Sequence, residues 1–92
     1  MTTLIVGEIV DPTRVPSLMQ EETAALTALR RDGIVGASYR SATAPQYIGF
    51  SDVADLDVLR AALQHLPFVA QGAMTLRFQQ VDAIPFPEDA AA

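Results

Sequence analysis

Several polar side chains in this sequence could carry acid–base or anion-binding chemistry. A carboxylate whose pKa is raised can take up and return a proton, and an arginine offers a rigid fork to a carboxylate or carbonyl oxygen. A tyrosine hydroxyl can donate a hydrogen bond to an oxygen on which negative charge develops. The predicted catalytic residues are Glu8, Arg40, Tyr39 and Tyr47, and the predicted substrate-binding residues are Ser38, Arg77 and His65.

Glu8 is the one charged residue within the first strand-like run, between Gly7 and Ile9, so burial is expected to raise its pKa. Arg77 is its expected partner, because the first and last strands are neighbours in a β-α-β-β-α-β topology. A carboxylate in this setting can transfer a proton, but ion pairs of this kind also occur purely as structural contacts. The sequence leaves both interpretations of the Glu8–Arg77 pair open.

The other candidates also have structural alternatives. Arg40 either binds a ligand oxygen, or is an edge-strand arginine that pairs with Asp52 or is solvated. The two tyrosines either donate to an enolate oxygen or serve only as packing residues. His65 is expected in the last turn of the second helix, where it acts either as a solvated cap or as a base.

The residue types that are missing exclude several classes of chemistry. With no cysteine and no lysine among its 92 residues, the chain has no thiolate nucleophile, zinc–thiolate site, Schiff base or phosphate-loop lysine. A single histidine argues against a His-based metal site. The net charge of −5 and the absence of a basic cluster argue against nucleic acid and anionic membranes as partners. We therefore predict no metal and no cofactor.

The hydrophobic pattern predicts four strands and two helices in the order β-α-β-β-α-β. The strands are predicted at Leu4–Val10, Ile34–Arg40, Gln46–Phe50 and Met74–Val81, and the helices at about Leu18–Asp32 and from the Asp52–Asp57 caps to Pro67. In the first helix, Ser17 and Gln20 have the spacing of a capping box, which places Glu21 and Glu22 in the first turn. Its apolar stripe is predicted to contain Leu18, Ala25, Leu26 and Leu29.

This order of elements predicts a ferredoxin-like α+β domain over residues 1–82, followed by an extended tail over residues 83–92. Two helices cover only one face of a four-stranded antiparallel sheet, so the other face meets water or a partner. The side chains expected on that second face are Val6, Glu8, Ser38, Arg40, Tyr47, Ser51, Thr75, Arg77 and Gln79. We predict that a second copy of the chain covers it around a small polar cavity.

Size and composition also predict the oligomeric state, the cellular location and the partners of the protein. A domain of 92 residues without disulfide bonds has a small core, which favours stabilisation by a homodimer or a higher homo-oligomer. The first ten residues lack the basic region of a signal peptide, and no stretch has the length of a membrane span. The sequence therefore predicts a cytoplasmic protein whose partners are a small molecule and further copies of itself.

Several short motifs match a known family. They are Glu22-Thr23-Ala24, Leu29 to Gly33, Tyr39-Arg40, Asp52-Val53, Asp57 with Leu59, and Leu63 with Leu66-Pro67-Phe68. In these residues the sequence resembles muconolactone Δ-isomerase and its chloromuconolactone-dehalogenase relatives, and the window from Gly33 to Phe68 aligns without a gap. The resemblance implies a dimeric α/β barrel. Arg40 matches the arginine of the family's tryptophan–arginine pair, whereas Tyr39 stands in place of the tryptophan.

The resemblance implies a cofactor-free isomerase that shifts a proton, or cyclises or rearranges a small oxygenated ring compound such as a lactone. Under this hypothesis Glu8 moves the proton, Arg40 stabilises charge and the tyrosines orient the substrate. Two alternatives remain open. In the first, the same barrel is a ligand-binding or oligomerisation module without turnover. In the second, it is a cofactor-independent monooxygenase or cyclase of secondary metabolism, although the absence of tryptophan and asparagine argues against the monooxygenase.

Overall fold

The computed structural model describes residues 2–87, which form a four-stranded antiparallel sheet with its helices on one face. The strands are β1 (Thr2–Ile9), β2 (Ser38–Arg40), β3 (Gln46–Ser51) and β4 (Met74–Val81), in the spatial order β2-β3-β1-β4. The helices are α1 (Val15–Arg31), α2 (Leu56–Leu63) and the short α3 (Pro67–Ala70), and a 3-10 turn at Pro12–Arg14 precedes α1. The predicted ferredoxin-like α+β class is confirmed.

The core lies between the sheet and the helices. Ile5 on β1 and Leu59 and Leu63 on α2 are fully buried, and they pack with Leu66, Phe68 and Met74 in one cluster. Burying an aliphatic side chain of this size contributes about 1.5–3 kcal/mol to folding before conformational entropy is subtracted. These contacts fix α2 and α3 against β1 and β4 and leave α1 to cover the β2–β3 side.

The first helix begins earlier than predicted. Val15 is its first residue and Pro16 occupies its first turn, where the missing proline N–H costs no hydrogen bond. Ser17 therefore lies inside the helix, its hydroxyl donates to the Arg14 carbonyl over 3.1 Å, and the predicted capping box is wrong. The earlier start moves Glu22 from the first turn to the middle of the helix.

The largest other differences from the predicted boundaries lie in β2 and the second helix, whereas the ends of β1 and β3 shift by one or two residues. Strand β2 contains only Ser38–Arg40, because Ile34 and Val35 pack toward the core and the Ser51 hydroxyl donates to the Ile34 carbonyl over 2.6 Å. Pro67 does not simply end the second helix: α2 stops at Leu63, and Pro67 begins α3. The predicted bounds of β4 match the structure.

Strand register assigns side chains to the two faces of the sheet. Gly49 is paired with both Ile5 and Ser38, so Ser38 lies on the same face of the sheet as the core residue Ile5. Arg40 and Tyr47 are two residues further along their strands and lie on this face too, whereas Glu8 and Arg77 lie on the other face. The face that the helices do not cover is called the open face below. The side chains predicted to lie on it are placed correctly for β1 and β4 and wrongly for β2 and β3. The residues that lie on the helix-covered face instead are Ser38, Arg40, Tyr47 and Ser51.

The structure describes the predicted tail as far as residue 87. Residues 82–86 follow β4 without helix or strand, and Ile84 and Phe86 are exposed. Residues 88–92 of the predicted tail lie outside the described residues. No helix between residues 2 and 87 combines the length and the apolar character needed to cross a membrane.

Candidate functional site

The covered face contains a cavity of about 450 Å³ between α1 and the β2–β3 side of the sheet. This volume is within the ordinary range of small-molecule sites. Its wall is mainly apolar and includes Val15 and Leu26 of α1, Phe68 of α3 and Met74 of β4. Such a wall excludes water from most of a bound ligand, so any polar group exposed inside has a strong electrostatic effect.

Glu22 is the carboxylate of this cavity. It is 7% exposed, projects from the middle of α1 and lines the pocket. Its Oε1 accepts a hydrogen bond of 2.9 Å from the Phe68 backbone N–H, which holds one oxygen and leaves the other without a protein donor among residues 2–87. Burial raises the pKa of Glu22, and the Phe68 hydrogen bond lowers it by a smaller amount. The carboxyl is thereby adjusted toward proton uptake.

Tyr47 lies on β3 in the same cavity, and its Oη is 2.9 Å from the Ser38 hydroxyl on β2. Burial is the main cause that raises the pKa of Tyr47, and the nearby Glu22 charge raises it further, while Ser38 and Arg30 act in the opposite direction. The phenol therefore stays protonated at neutral pH. The covered face thus brings together a carboxyl with a raised pKa and a neutral hydroxyl donor.

Arg40 and Tyr39 lie at the mouth of the cavity, and both are exposed. The predicted Arg40–Asp52 pair does not form: Asp52 accepts a hydrogen bond of 2.9 Å from the Thr2 hydroxyl instead. Tyr39 points to the open face, where its ring meets Phe50 edge-on at a centroid distance of 6.5 Å. Arg40 is therefore exposed at the entrance of the cavity and makes no ion pair within residues 2–87, and Tyr39 packs against Phe50.

The remaining predicted site residues lie elsewhere. Glu8 is exposed on the open face, so its predicted burial is wrong, and Gln46 Nε2 donates to its Oε1 over 3.4 Å. Arg77 is opposite Val6 rather than Glu8, and the two charges form no ion pair within residues 2–87. Arg77 instead lines a second cavity of about 530 Å³ between α2 and β4.

His65 is exposed and lies after the end of α2, not in its last turn as predicted. It lines neither of the two cavities described above. Residues 2–87 contain no group of three His, Asp or Glu side chains placed to hold a metal ion.

Comparison with solved structures places this geometry in a known fold. Muconolactone isomerase, known from a crystal structure at 3.3 Å resolution, superimposes on this chain with a TM-score of 0.74, and 92% of each chain is covered. The chain has the fold of muconolactone isomerase. The sequence identity to that enzyme is 20%, so the likeness concerns the fold. No protein-family model and no curated protein matches the chain.

A second solved structure has the same architecture. An antibiotic biosynthesis monooxygenase superimposes with a TM-score of 0.64 and 15% identity, over 92% of this chain and 100% of its own. The resemblance to muconolactone isomerase inferred from the sequence is therefore confirmed at the level of fold, and that fold is shared with a protein named for different chemistry.

Glu22 is the functional candidate that the residue patterns alone did not single out, although a signal for it exists. It is four residues after Leu18 and four before Leu26, which places a carboxylate on the apolar stripe of α1. A charged residue at the centre of an apolar stripe is unusual unless it has a partner or a function. The predicted helix start at Leu18 instead explained Glu22 as a first-turn residue that favours the helix dipole.

Proposed function

We propose that the chain is a cofactor-free enzyme that moves a proton between two carbons of a small, oxygenated ring compound of the unsaturated lactone type. The observation that carries this proposal is the Glu22 carboxyl, buried in an apolar cavity beside the neutral Tyr47 phenol. The likeness in fold to muconolactone isomerase supports the same reaction class.

In the first step Glu22, in its ionised form, removes a proton from the carbon next to the lactone carbonyl. The electron pair of that C–H bond moves into the ring and places negative charge on the carbonyl oxygen. Tyr47 donates its hydroxyl hydrogen bond to this oxygen, which stabilises the charge as it develops. A raised pKa makes Glu22 a stronger base than an exposed glutamate once it is ionised.

In the second step the protonated Glu22 returns its proton to the ring carbon at the other end of the delocalised system. A new C–H bond forms there, the double bond has shifted, and the carboxylate is regenerated. One carboxyl is sufficient for both transfers, because it can reach both carbons from the same face of a small ring. The balance of protons closes without an oxidant, a reductant or a metal.

The cavity also indicates a substrate class. Its apolar wall fits a compact hydrocarbon ring, and its single buried carboxylate disfavours a second negative charge deep inside. A carboxylate substituent of the substrate would therefore remain at the entrance, where the exposed Arg40 can bind it in a bidentate manner. These features support proton transfer by Glu22, whereas the sequence-based hypothesis gave this role to Glu8.

We also propose that the chain forms a homodimer through the open face. The apolar side chains Leu4, Val6, Ile48 and Phe50 lie on that face, together with Glu8 and Arg77. A second copy related by a two-fold axis can cover the apolar area and supply each charge with an opposite partner. In such a dimer Glu8 and Arg77 serve the subunit interface, and Glu8 enters a site only if that interface encloses one.

The proposal is tested with α-angelica lactone, an unsaturated five-membered lactone, incubated with the protein in D₂O and followed by proton NMR. We expect the conjugated isomer to accumulate at a rate proportional to protein concentration, with deuterium entering the methyl-bearing ring carbon whenever the Glu22 proton exchanges with solvent before it is returned. Saturable binding without isomerisation would favour a ligand-binding module instead. Neither binding nor isomerisation, for this lactone and for a carboxymethyl-substituted one, would contradict the proposal.

A further inference from the structure

The Tyr47 side chain occupies the space that a Cβ atom would fill at Gly49. A Cβ atom built on Gly49 would overlap the Tyr47 hydroxyl oxygen and would lie 2.6 Å from Cζ and 2.9 Å from Cε2. The Tyr47 ring therefore lies flat over Gly49, two residues further along the same strand and on the same face. Gly49 does not have a positive φ, so it is the space above its Cα, and not its backbone conformation, that requires glycine.

Ser38 completes the arrangement from the neighbouring strand. It is the direct β2 partner of Gly49, and this register brings its hydroxyl within 2.9 Å of the Tyr47 Oη. The Ser38 hydroxyl also donates to the Gly36 carbonyl over 3.1 Å. Because a serine has one hydroxyl hydrogen, Tyr47 must donate to Ser38 whenever Ser38 donates to Gly36.

We propose that Gly49 and Ser38 are positioning residues for Tyr47: Gly49 provides the space in which the ring lies flat on the sheet, and Ser38 holds the hydroxyl and sets the direction of its hydrogen. This inference deepens the proposed function, since Tyr47 is the residue to which we assign stabilisation of the enolate oxygen. The two residues act through Tyr47 and do not themselves contact the reacting atoms.

The hydrogen-bond chain has two states. In the resting state Tyr47 donates to Ser38, and Ser38 donates to the Gly36 carbonyl. When negative charge develops on a ligand oxygen, the Tyr47 O–H turns toward it, and the Ser38 O–H turns from Gly36 to the Tyr47 oxygen. Only O–H rotations are needed, so the donor is available without movement of the ring or of the backbone.

The first test is a spectrophotometric titration of the phenol, which does not depend on catalytic activity. The chain has two tyrosines, so a Tyr39→Phe background leaves Tyr47 as the only titrating phenol. Gly49→Ala should lower the pKa of Tyr47 toward its ordinary value of 10.0, because the displaced ring loses its burial. Ser38→Ala should raise it further, because the phenolate loses its hydrogen-bond donor.

The matched control is Gly36→Ala. A Cβ there would meet only the Phe50 carbonyl oxygen at 3.5 Å, an ordinary contact, so the Tyr47 titration should not change. Opposite shifts in the Gly49 and Ser38 variants with no shift in the control support the proposal. An unchanged titration in the Gly49→Ala variant, or a lowered pKa in the Ser38→Ala variant, would overturn it.

A double-mutant cycle keeps the test decisive if Gly49→Ala folds poorly. The loss of stability caused by Gly49→Ala should be much smaller in a Tyr47→Ala background, because the overlapping ring is absent. A loss of the same size in both backgrounds would show that Gly49 is needed for another reason, and the proposal would fail.

Turnover supplies the second readout. With α-angelica lactone, Gly49→Ala should lower kcat by about 10²-fold, the usual effect of losing one oxyanion donor, with a smaller effect on KM. Ser38→Ala should lower kcat as well, and Ser38→Thr should restore it. If no lactone is turned over even by the unaltered protein, the proposed function fails while the two titration shifts still test the positioning of Tyr47.

Discussion

The two faces of the sheet contain similar side-chain chemistry in different surroundings. Glu22 and Tyr47 lie on the covered side, in an apolar cavity beneath α1, whereas Glu8 and Tyr39 lie on the open side and are exposed. Within residues 2–87, burial raises the pKa of Glu22 and of Tyr47. The same residue types therefore have different surroundings on the two faces, and burial, rather than residue type alone, distinguishes them.

The largest expected effect separates the two glutamates. Glu22→Gln keeps the shape of the side chain and the oxygen that accepts from Phe68, but it removes the base. We expect turnover of an unsaturated lactone to fall by about 10²–10⁴-fold, the usual contribution of general base catalysis. The matched variant on the open face, Glu8→Gln, should retain nearly full turnover. The reverse result would return proton transfer to Glu8.

The two tyrosines provide the next comparison. Tyr47→Phe removes the hydroxyl that faces the cavity and should lower kcat about 10²-fold with little change in KM. Tyr39→Phe keeps the edge-on contact with Phe50 and should leave kcat nearly unchanged. Steady-state kinetics of both variants measures this difference. Equal losses of kcat would contradict the assignment of the hydrogen-bond donor to Tyr47 on the covered face.

A charge placed on the open face should weaken the proposed homodimer. Phe50→Asp puts a carboxylate within the apolar area and should raise the dimer dissociation constant about tenfold or more. Ile84→Asp, at an exposed apolar residue of the tail, is the control and should leave the dimer intact. Sedimentation velocity gives the masses. A monomer of 9.9 kDa for the unaltered chain at micromolar concentration would contradict the proposed assembly.

The smallest effect is the pH dependence of stability that Glu22 causes. Burial raises the folded-state pKa of this carboxyl above its ordinary value of 4.5. The folded protein therefore binds this proton more tightly than the unfolded chain, so its stabilising contribution is complete below about pH 4.5 and is lost as pH rises through the folded-state pKa. Glu22→Gln should remove that loss.

Thermal unfolding measures this effect. The Tm of the Glu22→Gln variant, relative to the unaltered protein, should increase between about pH 4 and about pH 7. Glu21→Gln is the control, because its side chain is adjacent in sequence and exposed, and its relative Tm should change little with pH. A relative Tm of Glu22→Gln that stays constant with pH would show that burial does not perturb this carboxyl in the folded protein.

The sequence predicted the order of elements because their hydrophobic periods are strong. The alternation of Met74, Leu76 and Phe78 with polar residues indicated β4 with its observed bounds. The faces of β3 were not predictable in the same way, since Tyr47-Ile48-Gly49-Phe50 has bulky side chains in both phases. The assignment there depends on the pairing with β1 and on the ring of Tyr47 lying over Gly49, which are tertiary features.

The site itself was predicted in part. Arg40 and Tyr47 line the cavity and Ser38 contacts the Tyr47 hydroxyl, whereas the Tyr39 ring lies on the open face; the catalytic and binding roles of all four residues stay predictions. The carboxylate was assigned to β1 because Glu8 is the only charge in an apolar strand. The structure shows that strand β1 has one solvent-facing side, so a charge at Glu8 needs no burial, whereas Glu22 on the apolar stripe of α1 cannot avoid it.

The most direct test of the central claim is a carbon NMR titration of the glutamate carboxyl groups, with and without a lactone ligand in the cavity. We expect the Glu22 carboxyl to titrate above the ordinary glutamate value of 4.5 and to be the carboxyl whose titration responds most to the ligand. A ligand that changes the titration of Glu8 and leaves that of Glu22 unaffected would contradict the account and would place the working site on the open face.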